Sequence, residues 1–167
     1  PLRHYLETCG YAQSTGPVLG VDDSNFEMTF FCGVQGSNPE HAEEFKNGVF
    51  NILEDVASKP VDTAMVDAIL HQIELHQREI NGAGTPYGLS LILSGLGSAI
   101  HHRDPVEVWD VDSAIAAVKE ELQDPMWLSN LIKEHLLDNL HRVQLTLVPD
   151  ATKSAKEAAE ERARLAE

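Results

Sequence analysis

The stretch FEMTFFCGVQ, residues 26–35, decides the fold class. Phe26, Met28, Phe30, Cys32 and Val34 alternate with Glu27, Thr29, Gly33 and Gln35, a period of two that puts the apolar set on one face of a half-buried strand. Upstream, Pro17 to Val21 is a weaker strand, joined through Asp22-Asp23-Ser24-Asn25 into a hairpin with it. Far downstream, Val143, Leu145 and Leu147 alternate with Arg142, Gln144 and Thr146, which predicts a returning strand.

Everything between these strands has helical spacing. A short helix is expected over Leu2 to Thr8. Asn38-Pro39 marks a helix start, with Asn as cap and Pro at the first helical position, and Phe45, Val49, Ile52, Leu53 and Val56 line one side up to Pro60. The next helix opens at Asp62 and runs to Ile80 with a stripe of Val66, Ile69, Leu70 and Ile73, stopping at Asn81-Gly82-Ala83-Gly84. A third begins at Thr85-Pro86 and carries Leu89, Leu93, Leu96 and Ile100, with Gly88, Gly95 and Gly97 suited to close approach of a neighbouring backbone. Asp112-Ser113 and Asp124-Pro125 open two more. The expected fold is therefore α+β, a small antiparallel sheet with helices packed on one face. Two or three strands are few for so many helices, which predicts missing strands supplied by another segment of a longer chain or by a partner. Pro1 in place of an initiating Met points the same way, to a processed or excised piece.

Composition narrows the function. The chain has 167 residues, 12 Lys+Arg against 27 Asp+Glu, a formal charge of -15, and 43% hydrophobic residues. That length suits one ordinary core. The acidic excess argues against nucleic acid and anionic membranes, both of which are bound through clustered Lys and Arg. No apolar run is long enough to cross a bilayer, and no targeting segment is visible. A soluble protein is expected, in a bacterial cytoplasm by preference or in an organelle matrix. Cys9 and Cys32 are too few for a disulfide scaffold, and two reduced thiols are the expected state. After Pro149-Asp150 the composition turns to Ala, Glu, Lys and Arg, so residues 1–149 are read as the domain and residues 150–167 as the start of a helical linker.

Candidate chemistry is sparse. His71-Gln-Ile-Glu74-Leu-His76 brings to mind the helical zinc motifs His-Glu-x-x-His and His-x-x-Glu-His, but those place the histidines four apart. Five residues turn a helix by roughly 140° beyond a full circle, so His71 and His76 cannot share one ion on an intact helix. His76 is expected to pack within the apolar stripe, and His71 to face solvent. His101-His102-Arg103 follows a helix end, where such side chains cap carbonyls. Gly82-Ala83-Gly84-Thr85-Pro86-Tyr87-Gly88 lacks the pattern and lysine of a phosphate loop. It is either a tight helix-to-helix turn or backbone bordering a peptide-binding cavity. On the second reading Arg78, Glu79, Asn81, Gly82, Pro86 and Gly88 are the candidate lining. No nucleophile motif surrounds Ser14, Ser90 or Cys32.

These motifs in this order resemble a known family. Pro1-Leu2-Arg3, the strand ending in Gly33-Val34-Gln35-Gly36, ELHQREINGAGTPYGLSLIL over residues 74–93, Asp104-Pro105, and His141-Arg142-Val143 through Pro149-Asp150 are similar to the pitrilysin/insulinase zinc metallopeptidases. Within them the likeness is to the presequence protease subfamily, and it covers nearly the whole chain. The resemblance implies a parent of two halves enclosing a chamber around an unfolded peptide, with zinc held by His-x-x-Glu-His in its first domain. This chain resembles most of the second domain, which carries no metal site. No catalytic or metal residue transfers, and no cofactor is expected here, although the parent binds zinc. The implied partners are the catalytic domain, the second half of the parent, and unfolded, basic peptides facing an acidic wall. An alternative of another class is a stand-alone acidic module that binds basic peptides through its surface charge.

Overall fold

The computed structural model describes residues 1–78, 84 and 86–165, the side chain of Gln77 excepted. Seven α-helices and four short strands are present among them, so the fold is α+β. In chain order these are α1 (Leu2–Thr8), β1 (Ser14–Thr15), β2 (Gly20–Asp22), β3 (Thr29–Phe31), β4 (Val34–Gln35), α2 (Ala42–Ala57), α3 (Thr63–Arg78), α4 (Tyr87–Ile100), α5 (Val111–Glu121), α6 (Trp127–Ile132) and α7 (Lys153–Leu165).

The stretch 26–35 does not form one strand. It divides into β3 and β4, which take different partners. β3 pairs antiparallel with β2, with Gly20 opposite Phe31 and Asp22 opposite Thr29, and β4 pairs antiparallel with β1, with Ser14 opposite Gln35. The break falls at Cys32-Gly33, where Gly16 N donates to Gly33 O at 2.7 Å. The hairpin expected near Pro17–Val21 exists as β2 and β3, with a longer turn begun by Asp22, whose carboxylate accepts from Ser24 N at 3.0 Å. Two small sheets thus replace the single one expected. Phe26 and Met28 remain exposed, because they belong to the hairpin turn rather than to a paired strand.

The returning strand at residues 143–147 is likewise absent. The segment is unassigned and fully exposed, and no strand lies beside it among the described residues. A period of two supplies a strand's faces, but its backbone needs a ladder partner to become one.

The helices follow their sequence signals more closely. Pro39–His41 forms a tight turn leading into α2, although Asn38, extended at φ -85 and ψ 147, makes no side-chain cap. Asp62 and Asp124 accept from Ala64 N (3.0 Å) and Met126 N (2.9 Å) just before α3 and α6. For α5 the cap is Asp110, accepting from Ser113 N at 3.2 Å, two residues earlier than the Asp112 start read from sequence. The main core joins Leu6 of α1 to Val49 and Leu53 of α2, and Leu19, Cys32, Val34, Phe45, Ile132, Leu136 and Leu137 pack around them. Leu70 of α3 and Ile115 of α5 are also buried, and α3 packs against α5. Ser129 of α6, fully buried, donates to Lys59 O at 2.6 Å, so α6 is pinned to the end of α2.

Two glycines show why no side chain stands in their place. A Cβ on Gly48 would overlap the Tyr5 phenol where α1 crosses α2. One on Gly95 would meet Pro105 O at 3.3 Å and the Trp109 ring at 3.4 Å, the close approach expected of α4. Gly88 and Gly97 have open space around the same position, so the close packing expected of them does not occur.

Candidate functional site

The candidate lining is built from the end of α3 and the start of α4. Arg78 closes α3, where its guanidinium donates to Glu74 one turn back (2.9 Å) and to Asp112 of α5 (2.8 Å). The bond and charge of Asp112, followed by the charge of Glu74, raise its pKa further. Pro86, at φ -55 and ψ 132, precedes α4, and its carbonyl accepts from Leu89 N (2.9 Å) and Ser90 N (3.1 Å) to open the first turn. Pro86 and Gly88 are exposed. Glu79, Asn81 and Gly82 lie outside the described residues. What this region shows is thus an ion-paired arginine that ties α3 to α5, beside an exposed helix start.

The histidines are scattered. His71 and His76 both lie on exposed positions of α3. The packed state expected for His76 is not adopted, because its neighbours on the stripe, Ile69 and Ile73, are themselves exposed, while α3 buries Leu70 and half-buries Val66 and Glu74. His101 does not cap α4 with its ring. Its Nε2 meets Ser24 O at 3.3 Å and its ring lies edge-on to Phe26 at 5.8 Å, so it joins the β2–β3 hairpin to α4. The backbone closes that helix end, with Arg103 N donating to Ser98 O at 2.9 Å. Among the described residues no three His, Cys, Asp or Glu side chains come together in a way that could hold a metal ion.

Two further arrangements escaped the sequence reading. The hydroxyls of Tyr5 and Tyr11 lie 2.8 Å apart, and the Tyr11 ring stacks on His41 at 5.2 Å, with His41 Nδ1 3.0 Å from Glu44. Burial first, then the bond to Tyr5, raises the pKa of the Tyr11 hydroxyl and holds it neutral. Only the three-residue step from His41 to Glu44 is visible in sequence; the tyrosines meet through the chain's tertiary path. The second arrangement is a shallow hollow of about 440 Å³ lined by Phe50, Glu54, Lys133, Leu137 and Arg142 among others. Arg142 donates to Leu137 O (2.7 Å) and Asn139 O (2.5 Å) and lies over the Phe50 ring at 4.7 Å. It clasps the chain leaving α6 onto α2, a packing role for a residue read from sequence as part of a strand. Cys9 and Cys32 are free thiols, both half-buried, and burial raises the Cys32 pKa. Neither residue has a base positioned to activate it among the described hydrogen bonds.

A region of a much larger peptidase is what this chain matches. It is 28% identical over 165 residues to presequence protease 1, chloroplastic/mitochondrial, of Arabidopsis thaliana, a match covering 97% of this chain and 15% of that protein. The mitochondrial presequence protease of Xenopus laevis is 26% identical over 142 residues, 84% of this chain and 14% of its own length. Protein HypA of Clostridium perfringens is 25% identical over all 167 residues and 17% of its own length. The chain therefore spans about one sixth of the length of the curated relatives it matches. No protein-family model matches it. No helix among the described residues is long and apolar enough to cross a membrane.

Proposed function

We propose that the chain is a non-catalytic domain of a zinc metalloendopeptidase, forming part of a chamber in which short unfolded peptides are degraded. The observation that carries this reading is similarity along 97% of the chain to only 15% of a presequence protease. The surface supports it. Leu89, Ile92, Leu93, Leu96 and Ile100 on α4 are exposed, as are Ile69 and Ile73 on α3, and apolar side chains exposed in such number on one helix mark an interaction surface. In the larger protein these faces pack against the catalytic domain and the second half of the chain. The domain occupies residues 1–149, and residues 150–167 begin a helical connection. The turn bounded by Arg78, Glu79, Asn81, Gly82, Pro86 and Gly88 borders the peptide cavity. The formal charge of -15 gives that cavity an acidic wall for basic peptides. Zinc belongs to the catalytic domain, where it polarises the scissile carbonyl and activates water. The compartment is a bacterial cytoplasm or an organelle matrix.

The test is hydrolysis of a fluorogenic peptide by the purified chain and by the longer protein from which it derives. The longer protein is expected to cleave in a chelator-sensitive manner and the chain alone to cleave nothing. Chelator-sensitive cleavage by the chain alone would overturn the non-catalytic assignment. A longer protein without peptidase activity would overturn the family reading itself.

A further inference from the structure

We draw no further inference here: the strongest candidate, the exposed apolar face of α4 that His101 joins to Phe26 at the tip of the β2–β3 hairpin, carries nothing beyond the proposed function, because nothing in the structure shows what covers it.

Discussion

Gly48 carries more of the fold than its missing side chain suggests. At the crossing of α1 and α2 the phenol end of Tyr5 occupies the space a side chain at this position would need, with its hydroxyl bonded to Tyr11. Gly48→Ala should therefore overpack the α1–α2 crossing and destabilise the chain by about 1–3 kcal/mol in denaturant unfolding, despite the higher helix propensity of alanine. Adding Tyr5→Phe should recover part of the loss. Recovery will be incomplete, because a ring carbon as well as the hydroxyl occupies the space. Full additivity of the two substitutions would show that they do not share this contact. At the same scale, sequence spacing ruled out a metal pair at His71 and His76 without coordinates. It mistook the exposure of His76, because spacing on a helix says which residues share a face and not which face is covered.

Elements in this chain are delimited by aspartates more than by any other residue. Asp22, Asp110 and Asp150 each accept a backbone N–H two or three residues on, and each carboxyl is held below its ordinary pKa first by the hydroxyl and then by the backbone N–H of that residue, Ser24, Ser113 and Thr152. A lowered folded-state pKa contributes stability that is present above the unfolded value and is lost as pH falls through the folded one. Asp110→Ala should thus destabilise α5 at neutral pH, and the difference from the parent should close as pH drops below about 4. Unfolding midpoints measured against pH check this. A difference constant down to strongly acidic pH would mean that the carboxylate charge is not what starts the helix. The helices were legible because caps and apolar spacing are local. The strands were not, since pairing depends on what lies alongside. At residues 26–35 two short partners compete for one alternating run, and the ladder switches at Gly33. At residues 143–147 the alternation is as clear, and no strand among the described residues pairs with it.

The whole molecule is an acidic body with an incomplete apolar interior. Only Leu6, Val49, Leu53, Leu70 and Ile115 are buried hydrophobic side chains among those described, while α3, α4 and residues 143–148 expose leucines, isoleucines and valines. Such a chain is weakly held together and self-repelling at once. Unfolding midpoints in urea should rise as salt goes from about 0.01 M to about 1 M, where the screening length shrinks from roughly 30 Å to 3 Å. An unchanged or falling midpoint would mean that specific ion pairs, such as Arg78 with Glu74 and Asp112, outweigh the general repulsion.

By itself, the sequence determined the α+β class, the order and approximate limits of the helices, and the resemblance that the comparison with presequence proteases supports. These are readings of nearest neighbours, of spacing and of composition. Tertiary structure alone decided how the alternating residues divide into two ladders, that Arg78 pairs with α5 as well as α3, that Arg142 clasps α2, and which apolar faces are left in water. Burial and pairing are properties of two surfaces brought together, and one surface read along a chain does not name the other.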